Sequence, residues 1–317
     1  MNKAIQNISV LLPVYNGEKY IKQSVSSVLN QTFRNIELVI IDDGSGDNTA
    51  ELIKEFTDER IRYFRTEHKG TPAALNYGVK KCRYAWIARI DADDLIVPER
   101  LEKQAEYLNE NPACGVLSAW SVYFKDPAKI LFLLKEPLTH QKIYKYLDIH
   151  NPINQSAMMI RKSILKDFPF NEKLNSNEDY ELMYRIRDDT VFANMPEVLV
   201  YTRFRKDSRT NTGERTNLYD MLYRNAFRKM TDSKSKGEVF YWATVSAWLN
   251  YFYGDRRDSR SYFRNSFSIK NITALLTTFL PDKYFFMFIN SRLRYRLKSI
   301  FINKSSFKKQ LNNLLKI

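Results

Sequence analysis

At 317 residues, with 44% hydrophobic and 14% aromatic side chains, the chain has enough apolar surface for a packed core, which excludes wholesale disorder. Its two cysteines, Cys82 and Cys114, are too few for a disulfide framework and lack metal-ligand spacing, so they read as buried thiols of a reducing compartment. The net charge of +14 is confined to the last third: residues 203–317 hold 24 Lys and Arg against 8 Asp and Glu, whereas residues 1–202 hold 26 against 28.

From the N-terminus, residues 8–12 form a short apolar run that ends at Pro13 without a small-residue cleavage site, so a strand and no secretory signal are expected. Residues 17–30 predict a helix with Ile21, Val25, Val28 and Leu29 on one face. The unbroken IELVII of residues 36–41 predicts a strand buried on both faces. Asn48 and Glu51 have capping-box spacing and open a helix through Leu52, Ile53 and Phe56. After a short strand over 61–64, Thr71 and Pro72 read as a cap and an N1 proline before a helix over 73–81. Residues 85–90 predict a further strand, and Pro98 starts a helix with Leu101, Ala105 and Leu108 inward. This alternation predicts an α/β fold: a mostly parallel sheet flanked by helices. Beyond residue 110 the rhythm loosens into strands over 114–124, 157–160 and 197–201 and a helix over 177–187. From 213 onward the sequence is mainly helical. No stretch reaches the roughly 18 apolar residues of a membrane span; the nearest, residues 272–289, is broken by Pro281, Asp282 and Lys283.

Parallel sheets bind ligands beyond the carboxyl ends of their strands. Three such ends carry chemistry here: Pro13-Val14-Tyr15-Asn16-Gly17-Glu18, Asp42-Asp43-Gly44-Ser45 and Asp91-Ala92-Asp93-Asp94. Carboxylates crowded at one edge repel unless protons, donors or a cation compensate them. Oxygen-rich sites suit Mg²⁺ or Mn²⁺. An isolated Asp-x-Asp is a common accident, and Asp43-Gly44-Ser45 alone is more often a turn. Their placement at successive strand ends is what points to a site.

Residues 8–100 resemble the nucleotide-sugar-binding half of the family 2 glycosyltransferases, which have the Rossmann-like GT-A fold. The matching text is ISVLLPVYNGEKYIKQSVSSVLNQT, ELVIIDDGSGDNT, ALNYGV and ARIDADDLIVPERL; HNPINQSAMMIRKSIL and NEDYELMYRI are similar to the acceptor side and the catalytic helix. The resemblance implies a catalytic domain over 1–212, with a nucleotide-sugar half (1–110) and an acceptor half (111–212), followed by a basic region over 213–317. It implies that Pro13, Val14, Tyr15, Asn16, Glu18, Asp42, Asp43 and Asp91 line the nucleotide-sugar, with Val14, Tyr15 and Asp43 beside base and ribose and Asp42 as an alternative to Asp43. Asp93 then binds a divalent cation directly, while Asp91 supports it or meets the ribose; Asp94 joins them or caps the turn towards Pro98.

On the predicted 177–187 helix, Leu182, Met183 and Ile186 share a face with Asp179. A carboxylate on an inward apolar face is costly without a purpose or partner, although a helix-start aspartate also favours the dipole. The match to Glu178-Asp179 implies that Asp179 is the general base and Glu178 a neighbour of the acceptor. The resemblance implies inverting transfer in bacterial surface-polysaccharide synthesis, O-antigen or capsule, onto a glycan or an undecaprenyl-diphosphate-linked acceptor. Where relatives carry a His near the diphosphate, this chain reads Arg203-Phe204-Arg205, so one of these arginines is expected to supply positive charge there.

Cations and aromatics interleave after residue 203. This favours an anionic membrane surface as partner, with residues 275–288 dipping in, and a peripheral location at the cytoplasmic face. The contrasting reading, a basic nucleic-acid-binding protein on an α/β scaffold, leaves the aspartates unexplained.

Overall fold

The computed structural model describes residues 4–174, 176–205, 216–233, 235–253, 259 and 304–316. The apolar runs become strands β1 (Ile8–Val14), β2 (Ile36–Asp42), β3 (Ile61–Arg65) and β4 (Trp86–Arg89), ordered β3-β2-β1-β4 and parallel throughout. Helices α1 (Ile21–Leu29), α2 (Thr49–Lys54) and α3 (Thr71–Lys81) connect them. Every residue of β1 and β2 is buried, as continuous apolar runs require when helices cover both faces.

The predominance of parallel pairing holds for this half. Beyond it, β8 (Met159–Arg161) lies antiparallel between β4 and β6 (Cys114–Lys125), and β7 (Lys129–Leu134) pairs antiparallel with β6. β9 (Val191–Arg203) runs parallel to β6, and the two-residue β5 (Leu95–Ile96) pairs antiparallel with β9. Helices α4 (Arg100–Glu110), α5 (His140–Tyr146), α6 (Lys162–Asp167) and α7 (Glu178–Arg185) complete this part.

Two cores lie on opposite faces of the sheet, because alternate residues of β1 point to opposite sides: Val10 and Leu12 to one, Leu11 to the other. On the first face Ile21, Val25 and Val28 of α1 and Leu101 and Leu108 of α4 are buried. The helix Lys304–Leu315 returns to that face, with Leu311 and Leu314 buried and Gln310 Oε1 accepting from the Tyr201 hydroxyl at 2.6 Å. The helices Thr216–Asp232 and Lys236–Tyr253 contribute Leu222, Ala226, Val245 and Leu249 to the second core. The expected boundary at 212 and the stretch 275–288 lie outside the described residues. Among the described residues no helix is long and apolar enough to cross a membrane.

A buried ion pair ties the second set of helices to the sheet domain. Arg187 Nη1 lies 2.7 Å from Asp148 Oδ1, both side chains are buried, and Tyr241 donates to Asp148 Oδ2 at 2.6 Å. Removing one partner strands the other's charge. Asp148→Ala should therefore cost about 3–5 kcal/mol in denaturant unfolding; a loss below about 1 kcal/mol would mean that the pair behaves as a solvated one.

Two expected helix starts differ in detail. The Asn48–Glu51 capping box does not form: Asp47 Oδ1 accepts from Thr49 N, while Asn48 N and Nδ2 donate to Glu18 Oε2. Thr71 is no cap either, because Gly70, at φ 90°, takes the N-cap position of α3.

Candidate functional site

The loop after β1 is stitched to the loop after β2. Asn16, at φ 51°, donates its N–H to Ser45 Oγ at 2.9 Å and accepts from Gly46 N at 2.8 Å through Oδ1. Gly17 N donates to Thr49 Oγ1 at 2.8 Å, and a Cβ here would meet Val14 Cγ2 at 2.5 Å, so only glycine fits. Glu18 donates from its N–H to Asp47 Oδ2 and accepts from Asn48. Asn16 and Glu18 thus build the walls of a cleft through bonds within the chain.

Asp42 and Asp43 lie deeper. Asp42 has no exposure: its Oδ1 accepts from Ser45 N at 2.8 Å and its Oδ2 from the Tyr63 hydroxyl at 2.6 Å. These bonds shape the loop. Asp43 Oδ1 accepts from Lys69 N, and Oδ2 accepts from Gly70 N and lies 2.9 Å from His68 Nδ1. These bonds set His68 against Tyr15, with ring centroids 4.0 Å apart and planes 17° apart. Tyr15 is 49% exposed and offers an aromatic face at the end of β1, next to buried Pro13 and Val14. The two β2 aspartates are thus compensated by donors within the chain.

The turn Asp91-Ala92-Asp93-Asp94 is held from all sides. Ser24 Oγ of α1 lies 2.8 Å from the carbonyls of both Ala92 and Asp94. Ser156 Oγ accepts from Asp91 N at 3.0 Å and donates to Asp91 Oδ2 at 3.1 Å, while Arg89 Nη1 lies 3.0 Å from Asp91 Oδ1. Asp94 is buried and accepts from Arg203 N at 2.7 Å, so it anchors β9 and does not cap the turn towards Pro98. Burial, then the Asp93 and Asp91 charges, raise its carboxyl well above the usual range. Burial and the Asp91 charge raise Asp93 as well, against the pull of Arg205 and Arg203.

The two arginines divide the expected role. Arg203 is 4% exposed and spent on structure: its guanidinium donates to Asp93 O and Gln23 Oε1, pairs with Asp126, and lies against the rings of Tyr20 and Phe124. Arg205 is the outer one, its side chain 33% exposed, with Nε 2.8 Å from Asp93 Oδ2. It lines a cleft of about 920 Å³ together with Asn16, Glu18, Tyr20, Asp47 and Asp126, a volume suited to a nucleotide-sized ligand.

Helix α7 brings the second carboxylate group. Leu182, Met183 and Ile186 are wholly buried, while Asp179 is partly buried and accepts from Asn151 Nδ2 at 3.1 Å. Glu178 is 6% exposed. Burial, then the Glu178 charge, push the Asp179 carboxyl up to about 6; Arg89 opposes this and Asp91 adds to it. Asp179 therefore stands within electrostatic reach of the Asp91 end of β4. The 150–155 stretch expected to shape an acceptor side connects these groups: His150 Nε2 lies 3.3 Å from Glu136 Oε2, Asn151 meets Asp179, and Asn154 donates to Ser121 Oγ at 2.9 Å.

Asp91 and Asp93 offer oxygen donors alone, which fits a hard cation. Among the described residues no group of three or more His, Cys, Asp or Glu forms a metal shell unaided. Two carboxylates are what Mg²⁺-type ions take when phosphate oxygens and water complete the shell, so the fit is that of a ligand-completed site. Arg89, Ser156 and His68 were not singled out from the sequence. Arg89 alone left a signal there, a charge within the buried strand text WIARI.

The sequence profile of glycosyl transferase family 2 matches residues 9–168. The chain is 35% identical over 214 residues to the O-antigen biosynthesis glycosyltransferase WbnJ of Escherichia coli, covering 65% of this chain and 83% of that protein. It is 34% identical over 211 residues to an uncharacterised glycosyltransferase of Methanocaldococcus jannaschii, covering 64% and 72%. Among solved structures, TarS residues 1–349 of S. aureus in complex with UDP-GlcNAc matches with a TM-score of 0.59 at 18% identity, covering 98% of this chain and 88% of that one. The mannosyltransferase PcManGT of Pyrobaculum calidifontis, in complex with GDP-Man and Mn²⁺, matches with a TM-score of 0.53 at 14% identity, covering 97% and 85%. The fold is the GT-A fold.

Proposed function

The chain belongs to glycosyl transferase family 2, and we propose that it moves a hexosyl group from a nucleoside diphosphate sugar, UDP-linked, to a hydroxyl of a glycan or lipid-linked acceptor, with inversion. The observation that supports this reading is that one segment, 151–156, bonds to both carboxylates: Asn151 to Asp179, read as the proton acceptor, and Ser156 to Asp91, read as the leaving-group side. Asp179, held by Asn151, takes the proton of the acceptor hydroxyl as its oxygen bonds to the anomeric carbon. The bond from that carbon to the diphosphate oxygen breaks on the opposite side. Asp93 and Asp91 would hold a divalent cation, Mn²⁺ or Mg²⁺, which when bound supplies Lewis-acid stabilisation of the departing diphosphate. Arg205, on Asp93 and at the cleft wall, adds fixed positive charge. Tyr15 offers its exposed face to the base, Asp43 supports that wall through His68, and Glu178 borders the acceptor.

The resemblance to an O-antigen biosynthesis enzyme supports surface-polysaccharide assembly, O-antigen or capsule. An undecaprenyl-diphosphate acceptor would set the protein at the cytoplasmic face of the membrane, where the +14 charge favours anionic lipid. Thermal stabilisation across UDP-, GDP- and dTDP-sugars, with and without Mn²⁺, tests the donor. A UDP-sugar with Mn²⁺ should raise Tm most; equal shifts for all nucleotides, or none, would reject the reading.

A further inference from the structure

Gln155 presents an anomaly next to this site. Both polar atoms of its carboxamide, Oε1 and Nε2, are buried without a hydrogen-bond partner, and among the described residues no other side-chain amide has both atoms in that state. Folded proteins rarely leave such groups unmade, because desolvation is not repaid. Flexibility does not account for it. Gln155 opens a one-turn 3₁₀ helix, Gln155–Ala157, pinned on either side: Asn154 bonds to Ser121 Oγ, and Ser156 Oγ makes two bonds with Asp91. Beside it Arg89, which pairs with Asp91, also buries an Nε without a partner. Gln155 thus sits in the chain between Asn151, which holds Asp179, and Ser156, which holds Asp91.

We infer that Gln155 is a sugar-recognition residue, whose carboxamide donates to one and accepts from the neighbouring hydroxyl of the donor hexose. This rests on the donor reading above. The anomeric carbon must lie between the base, Asp179, and the leaving-group side, Asp91, so the ring attached to it runs along the 151–156 segment that links them. An amide matches a vicinal diol, because it carries a donor and an acceptor side by side. The nucleotide, held at the β1 and β2 ends, has no reason to reach it.

The test uses the full-length protein with Mn²⁺ and compares binding of the best nucleotide-sugar of the UDP, GDP and dTDP panel with binding of its bare nucleotide. Gln155→Met keeps the side-chain volume and removes both polar atoms; Gln155→Ala is the second variant. The gain in affinity from the sugar should fall about tenfold or more in both, while the bare nucleotide changes by less than about twofold. Without ligand, Gln155→Met should melt at the wild-type temperature or above it, since it removes an unsatisfied amide. An unchanged sugar gain, or a lower Tm with equal loss of nucleotide and nucleotide-sugar, overturns the assignment to Gln155 while leaving the donor reading intact. If wild-type protein gains nothing from any sugar over the bare nucleotide, the donor reading falls and Gln155 with it.

Discussion

Asp179→Asn is expected to leave a folded protein that transfers sugar about 10²–10⁴-fold more slowly, the usual worth of general-base catalysis. The substitution keeps an oxygen that can accept from Asn151 Nδ2, so the local bond survives and only the proton acceptor is lost. The pH profile provides a sharper signature. Burial and the Glu178 charge push this carboxyl up to about 6, and the reaction needs the ionised form. The wild-type rate should therefore climb about tenfold per pH unit below that value and level off above it, whereas the Asn variant should lack this limb. Stability moves the other way. A carboxyl whose folded pKa exceeds its ordinary 3.8 holds its proton longer when folded, so the folded state loses stability as pH rises from that value through about 6. Asn carries no such cost, and the variant should melt above wild type near neutral pH and match it near about pH 4. Near-normal transfer by Asp179→Asn would reject the assignment of the base.

The parallel half of the fold was legible because strands buried on both faces must be continuous apolar runs and the helices between them must carry a stripe. IELVII became β2, and Ile21, Val25 and Val28 became the inward face of α1. The strand ends followed, and with them the positions of Asp43, Asp91 and Asp93. What escaped is non-local. Asp94 owes its role to Arg203, 109 residues away, and Ser24 reaches the carbonyls at 92 and 94 from α1. Neither contact has a sequence period. The capping box failed for the same reason: Glu18, from the β1 loop, competes for Asn48. β5 has two residues, too short for any period to identify. The arginine question, open between two residues of one segment, was decided by packing: Arg203 lies between two aromatic rings while Arg205 faces the cleft.

Asp93→Asn is expected to be the other large loss, and it separates charge stabilisation from proton removal. A divalent ion acting as a Lewis acid on a leaving group is worth several kcal/mol, so transfer should fall by at least about 10²-fold. The cause is read from binding. Bare nucleotide diphosphate should bind wild-type protein more tightly with Mn²⁺ than with chelator, and the variant should lose that difference while keeping the chelator value. Arg205 complicates a simpler expectation, since it already stands 2.8 Å from Asp93 Oδ2. In the variant its ion pair with Asp93 is lost and its charge can turn to the diphosphate, so nucleotide affinity without metal should hold or rise slightly. This distinguishes a metal-holding Asp93 from one whose only task is to position Arg205: the second role predicts weaker nucleotide binding in the variant whether Mn²⁺ is present or not. Full turnover of chelator-treated wild-type protein would remove the cation from the reaction and leave Arg205 as the positive charge facing the leaving group.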